Sequence, residues 1–268
     1  MGRLVDKVRR IPAEVAKLPS MGVGYTPDVF TLGVVLSEVE VFPVATYDEI
    51  ILKTPELLLS GEGIYEVFRR KIPSIAKPEL LFQKDVDYLL TFLRKVSYGD
   101  LLTVSYVHDC EKAKEHDYGI PLSHFLTNTK RIDPTKTKLY EIELDNGQMV
   151  VIGNSKFADV LELTQITIKF AQMGASDNTM KDVKEIETAA LRSIAVLIDS
   201  VDGVTDKEEI IEWLGELPVD MRNNIRSQIN TVSSGWGVDF TYKTKCKDCG
   251  SEIDLNPVIN PVSFFTRL

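Results

Sequence analysis

The sequence predicts an α+β fold: an N-terminal part with one strand and short helices, then a zinc-ribbon-like β-hairpin unit with a helical insertion. Residues 1–99 combine a strand-like run with several short helical patterns. Hairpin patterns surround two cysteine-bearing segments, and a long helical stretch separates those segments. We therefore assign the β unit to residues 100–155 and 235–268, and the helical insertion to residues 156–234.

The N-terminal part is predicted to hold one strand and several helices. Apolar residues recur at near-helical spacing in residues 1–18, although a proline within that segment should break or kink the helix. TLGVVLSEVEVF (31–42) is β-branched and partly alternating, which predicts a strand. Prolines and glycines divide residues 46–76 into two or three short helices. KDVDYLLTFLRKVSYGD (84–100) predicts a longer helix with one apolar face and a stop at Gly99.

The β unit is predicted from four strand-like segments, one of which is a hairpin of two strands. LLTVSYVH (101–108) and YGIPL (118–122) flank the first cysteine. LYEIELDNGQMVVI (139–152) predicts a hairpin because an Asn-Gly pair separates two alternating runs. VDFTYKTK (238–245) predicts a strand that leads into the last two cysteines.

The helical insertion carries apolar residues at helical spacing throughout residues 156–234, in four successive runs. Thr205 and Glu208 have the spacing of a capping box, which predicts that the third helix begins beside Thr205.

The charge balance excludes several kinds of partner. A net charge of −9 opposes binding to nucleic acid, which needs cationic side chains along the phosphates, and it equally opposes binding to an anionic membrane. The basic N-terminus lacks the apolar region of a signal peptide, and no apolar run approaches the ~20 residues that cross a bilayer. We expect a protein that is made and kept in a cytoplasm.

The cysteines indicate a metal site rather than disulfide bonds. The chain has three cysteines, two of them in the C-x-x-C spacing of Cys246 and Cys249. An odd count with one C-x-x-C is typical of a reducing compartment and of metal or thiol chemistry. A closed structural zinc site needs four Cys or His ligands. The third cysteine and all three histidines lie within one segment, residues 108–124.

We assign the zinc ligands as Cys110, His116, Cys246 and Cys249, because each cysteine segment then has ligands in the turn between an incoming and an outgoing strand. His108 is the alternative fourth ligand, since it lies two residues before Cys110 and therefore on the same strand face. His124 is interpreted as a surface or helix-face histidine. Redox-active or inert thiols are the other interpretations of these cysteines.

The sequence offers no sign of catalysis. It lacks the phosphate-binding, nucleophile-elbow, metalloprotease and dinucleotide-binding motifs. The carboxylate pairs Asp85 with Asp87 and Glu208 with Glu209 are interpreted as solvated helix faces. Four protein ligands would leave zinc no open coordination position. We therefore predict no enzyme and no small-molecule substrate.

The order of several motifs resembles a family of baseplate proteins from T-even-type contractile-tailed phages, whose members are hub subunits or hub-assembly proteins. The motifs are LPSMG…Y, D-x-x-Y-L-L-x-x-L-R-x-x-S-x-G-D (85–100), Y-x-I-x-L-x-N-G-Q, W-L-x-x-L-P and W-G-x-D-F before C-x-x-C-G. In one departure, the first cysteine-bearing turn carries Cys110 and a histidine where the family would be expected to have two cysteines.

This resemblance implies a structural or assembly protein whose partners are other baseplate and tail proteins. It implies no enzymatic activity, and it implies a place in the virion tail after assembly in the host cytoplasm. The alternative function is an intracellular enzyme or accessory subunit that carries a zinc ribbon; catalytic turnover would favour it, whereas copurification with tail proteins would favour the baseplate function.

The C-terminal segment NPVINPVSFFTRL predicts an extended path, because its two prolines oppose a regular helix. Phe264 and Phe265 lie within four residues of the C-terminus, where chains are normally frayed, so two adjacent apolar rings are unusual there. We predict that at least one of them binds a partner subunit. Packing of both against the core of this chain is the alternative.

Overall fold

The computed structural model describes residues 12–33, 35, 37–110, 114–133, 135, 140–173, 180–233 and 235–257. These residues form helices and small antiparallel sheets, which confirms the predicted α+β class. In chain order the elements are β1 (Glu14–Lys17), β2 (Glu38–Val41), α1 (Thr46–Leu52), α2 (Pro55–Leu59), α3 (Glu62–Lys71), α4 (Gln83–Tyr98), β3 (Leu101–Val107), β4 (Glu115–Pro121), α5 (Leu122–Thr127), β5 (Tyr140–Glu143), β6 (Met149–Ile152), α6 (Phe157–Met173), α7 (Met180–Ala195), β7 (Ile198–Val201), α8 (Lys207–Glu216), α9 (Val219–Ser233), β8 (Tyr242–Lys245) and β9 (Glu252–Leu255).

The first described element is the strand β1, so the helix predicted within residues 1–18 is wrong where it can be compared. β1 pairs antiparallel with β2, which places Ala16 opposite Val39, and both side chains are buried. A weak helical spacing is overridden here by burial against a partner strand. Residues 1–11 lie outside the described part of the chain.

The remaining N-terminal predictions differ mainly in length. The predicted strand 31–42 is reduced to β2, because Gly33 turns the chain at a φ of 83° and the Glu38 amide donates to the carbonyl of Val35 at 3.1 Å. Three short helices, α1 to α3, occupy the segment 46–76 as predicted. Helix α4 is also confirmed, and it ends at Gly99, whose φ is 92°.

The main core packs β1 to β4 and α1 to α5 together, with α3 and α4 at its centre. It also includes Cys246, Ile253 and Leu255, which come from the hairpin of β8 and β9 near the other end of the chain. The C-terminal hairpin is therefore docked on the N-terminal part.

A second core lies between the sheet β5–β6–β7 and the helices α7, α8 and α9. The strand β7 was missed, because residues 156–234 were predicted to contain helices only. Val201 pairs with Val150 and Ile198 with Ile152, so β7 buries its apolar face on the predicted hairpin of β5 and β6. That hairpin shares its core with the helices, and the three-part division of the chain stays a prediction.

The start of α8 differs from the predicted capping box of Thr205 and Glu208. The N-cap is Asp206, whose side chain accepts a hydrogen bond of 2.9 Å from the amide of Glu209. Asp and Thr are both good N-caps, so spacing alone did not decide between adjacent residues.

Asp85 forms a buried polar network that fixes the N-terminal connector, residues 18–28, on α4. Its carboxylate accepts hydrogen bonds from the amide of Ser20 (2.9 Å) and the hydroxyl of Tyr25 (2.7 Å). The Tyr25 oxygen in turn accepts from the amide of Phe82 at 2.7 Å, just before α4 begins. The prediction that Asp85 lies on a solvated face was therefore wrong: the side chain is fully buried.

Burial raises the pKa of Asp85 to about 6, although hydrogen bonds from Ser20 and Tyr25 act in the opposite direction. A carboxyl whose pKa is higher in the folded chain than in the unfolded chain binds more protons when folded. Its contribution to stability is therefore present below the unfolded pKa and is lost as the pH rises through the folded pKa.

We predict that the stability of wild type relative to Asp85→Asn increases as the pH falls from 7 to 5, because only wild type gains a proton at this buried site. Urea unfolding at several pH values measures the difference, which should change by about 1.3 kcal/mol between pH 7 and pH 5. A difference that stays constant over this range would show that Asp85 does not titrate there.

Candidate metal centre

Two hairpins carry the candidate ligands in their connecting turns. β3 and β4 pair from Leu101 with Pro121 to Val107 with Glu115, so His108 and Cys110 lie in the loop beyond the last pair. The amide of Cys110 donates to the carbonyl of His108 at 2.9 Å, which keeps these two residues close together at the start of that loop.

The second turn closes around Cys246. Its amide donates to the Ser251 carbonyl and its carbonyl accepts from the Gly250 amide, both at 2.9 Å. Gly250 has a φ of 75°, which favours glycine and lets the chain reverse immediately after the second cysteine. The amide of Asp248 points at the Cys246 sulfur at 3.4 Å.

The structure brings four candidate ligand atoms into one cluster: those of His108, Cys110, Cys246 and Cys249 all lie within 4.8 Å of one another. Cys249 Sγ and His108 Nδ1 lie 3.5 Å apart. In tetrahedral zinc sites the ligand atoms lie about 2.0–2.3 Å from the ion, so neighbouring ligand atoms are separated by about 3.5–4 Å. The cluster could therefore hold a metal ion after small side-chain movements.

Exposure varies within the cluster. Cys246 is buried in the main core, His108 and Cys110 are half-buried, and Cys249 is exposed. Hydrogen bonds from the side chain and backbone of Ser251 lower the pKa of the Cys249 thiol to about 6. A thiol with a lowered pKa supplies the thiolate ligand at neutral pH without an external base.

His116, the first choice for the fourth ligand, lies outside this cluster. It is paired with Tyr106 within the β3–β4 ladder, so it belongs to the strand and not to the loop. Its Nε2 lies 2.9 Å from the carboxylate of Asp248. His108, the alternative, takes the place beside the three cysteines.

His124 lies on α5, where its ring contacts Tyr242 edge-on with a centroid distance of 5.1 Å. It is thus on a helix and apart from the four clustered residues. Phe264 and Phe265 lie outside the described residues, so the structure gives no position for them.

Sequence reasoning missed the contacts that join the two turns. Asp248 and Lys247 both contact β4, through His116 and Tyr118 respectively. The spacing of a C-x-x-C motif does not show which distant strand the two residues between the cysteines will contact. The sequence did contain a signal for His108 as the alternative ligand, namely its position two residues before Cys110 at the end of a strand.

A cavity of about 440 Å³ lies among α7, α8 and α9. Its described lining combines apolar residues with Asn223, Arg222 and Arg226, and it includes no His, Cys, Asp or Glu. This lining offers no general acid–base pair and no activated nucleophile. Among the described residues, no helix is both long and apolar enough to span a bilayer.

Comparison with known proteins gives one positive result. A family model described as T4 bacteriophage base plate protein matches residues 41–266, which is most of the chain and includes all four clustered residues. No curated protein and no solved structure matches the chain.

We predict that Gly250→Val weakens metal binding, because a β-branched residue is strained at a φ of 75° even though a Cβ has open space there. The strain should cost about 1–2 kcal/mol, which corresponds to roughly 5- to 30-fold in affinity. Chelator competition measures this loss.

Gly147→Val is the matched control. Gly147 has a φ of 81° and open space, but it lies in the turn between β5 and β6. This variant should lose similar stability and keep its metal affinity. Equal losses of affinity in both variants would contradict the assignment of Gly250 to the metal centre.

Proposed function

Because the chain belongs to the T4 bacteriophage base plate protein family, we propose that it is a structural or assembly subunit of the baseplate hub with one structural zinc ion. The family match over residues 41–266 carries this proposal. Family membership implies a location in the virion tail and contacts with other tail proteins, which supports this proposal. The hub position rests on the motif order described above, and assembly would take place in the host cytoplasm.

The proposed zinc ligands are Cys110, Cys246 and Cys249 with His108 as the fourth. Three thiolates and one imidazole form a donor set that suits tetrahedral Zn²⁺ better than the hard cations Ca²⁺ and Mg²⁺, which prefer oxygen. His108 replaces His116 in this proposal because His108 Nδ1 is 3.5 Å from Cys249 Sγ, whereas His116 contacts Asp248.

Zinc at this position would join the loop of β3–β4 to the turn of β8–β9. These hairpins are separated along the chain by the whole second core. A cross-link between distant segments stabilises the folded chain by limiting the unfolded one, and the cost of closing a loop grows only slowly with its length. The metal would therefore cross-link the two hairpins and stabilise the folded chain.

A closed four-ligand site is also the support for a non-enzymatic role. Catalytic zinc keeps a coordination position for water or substrate, and four protein ligands leave none. The lining of the cavity among α7, α8 and α9 adds no catalytic group among its described residues. We propose that no small molecule is turned over and that the net charge of −9 keeps the protein off nucleic acid and anionic membranes.

We predict about one zinc per chain in protein that is purified without added metal. His108→Ala should lower the zinc affinity more than about 100-fold, because even the loss of an outer-shell partner typically costs 10- to 100-fold. His124→Ala is the control and should leave the affinity unchanged. Elemental analysis and chelator competition are the measurements. A folded, metal-free protein with three freely reactive thiols would refute the zinc proposal.

We propose Phe264 and Phe265 as partner-binding residues. Each phenylalanine contributes roughly 1.5–3 kcal/mol when it is fully buried. Removal of residues 262–268 should therefore weaken association with tail proteins by about 10- to 100-fold per buried ring and leave the zinc content intact. Copurification from infected cells and mass spectrometry of purified phage particles are the measurements.

The alternative for this segment is packing of both rings on the chain's own core. In that case the truncated monomer would lose thermal stability, and the partner-binding proposal would fall. The protein's absence from both phage particles and tail intermediates would count against the baseplate function itself.

A further inference from the structure

The two ligand-bearing turns are joined by contacts that do not use the four ligand atoms. His116 Nε2 on β4 lies 2.9 Å from Asp248 Oδ2 in the C-terminal turn. The backbone amide of Lys114 donates to the same oxygen at 3.3 Å. The Asp248 carboxylate therefore contacts both a side chain and a backbone amide of the β3–β4 hairpin.

The neighbouring residue strengthens this junction. The amide of Lys247 donates to the Tyr118 hydroxyl at 3.1 Å, and the Lys247 ammonium lies 5.1 Å from the centre of the Tyr118 ring. The same ammonium donates to the carbonyl of Asp117. Both residues between the two cysteines of C-x-x-C thus contact β4.

These contacts fix the turn that carries Cys246 and Cys249. The Asp248 side chain is only 11% exposed and the His116 side chain 28%, so the pair is partly shielded from water. Shielding from water strengthens the electrostatic attraction between two polar groups at this distance relative to fully exposed groups. The Asp248 backbone is in turn tied to a ligand, because its amide contacts Cys246 Sγ at 3.4 Å.

We propose that His116 and Asp248 form a positioning pair that holds the C-terminal turn against the β3–β4 hairpin and so assembles the four ligands before a metal ion binds. Affinity improves when ligands are ordered in advance, because less conformational entropy is lost on binding. This inference rests on the proposed metal site and gives His116 a supporting place instead of a coordinating one.

Cobalt(II) titration of the full-length protein distinguishes a positioning role of His116 from a ligand role. The absorption of bound cobalt reports both the metal affinity and the set of ligands. His116→Ala and Asp248→Ala should each lower the affinity about 10- to 100-fold with unchanged band positions, as the loss of an outer-shell partner does. The double variant should lose no more than either single variant, because the two residues act as one unit. His108→Ala should change the bands themselves.

His116→Gln tests the role by rescue: its amide N–H can reach the place of the imidazole Nε2, and it should restore most of the affinity. Asp117→Asn is the matched control, because the Asp117 side chain contacts Ser105 within its own hairpin and should not influence the metal. Circular dichroism of each metal-free variant establishes that it is folded.

Three results would overturn the proposal. Altered cobalt bands in His116→Ala would make His116 a ligand, and unchanged affinity in both single variants would leave the pair without a role. Multiplying losses in the double variant would show that the two residues act separately. If wild type binds neither cobalt nor zinc, the proposed metal site itself fails. If wild type binds tightly and the His116 and Asp248 variants have the same affinity, only the positioning pair is overturned.

Discussion

The contact between the turn of β8–β9 and the β3–β4 hairpin is the constraint on which the arrangement of the chain depends. It joins two segments between which the whole second core is inserted. Without it, Cys246, Ile253 and Leu255 would leave the main core, and the four candidate ligands would lie on unconnected hairpins. In the docked arrangement, Lys247 and Asp248 hold this junction through side-chain and backbone contacts. A metal ion would hold the same junction through coordination.

The polar residues of the family-like motifs connect segments as well. Asp85 ties the connector containing Ser20 and Tyr25 to α4, and it does so with a buried carboxylate. At the other end of the same motif, Asp100 accepts hydrogen bonds from the amide and hydroxyl of Ser123 at the start of α5. Asp100 is exposed, whereas Asp85 is buried. Buried polar groups must be paired, so Asp85 specifies one docking geometry where an apolar contact would allow several.

Much of the fold and three of the four clustered residues could be predicted from local signals. The α4 helix, the β5–β6 hairpin and the C-x-x-C turn each follow from spacing and turn chemistry within a few residues. The failures share a different cause. The strand β1, the strand β7 and the burial of Asp85 all depend on partners far along the chain, and periodicity within a segment carries no record of such partners.

The sequence by itself determined the α+β class, the residue types of the candidate metal site and the family, because composition, turn residues and motif order are properties of the chain alone. Only the tertiary structure decided between His108 and His116. Both histidines flank the same loop, and the choice depends on where the second hairpin docks: that docking places Cys249 beside His108 and Asp248 beside His116. Which side chain reaches the cluster is therefore set by long-range packing, because the spacing of His108 two residues before Cys110 allowed this assignment without deciding it.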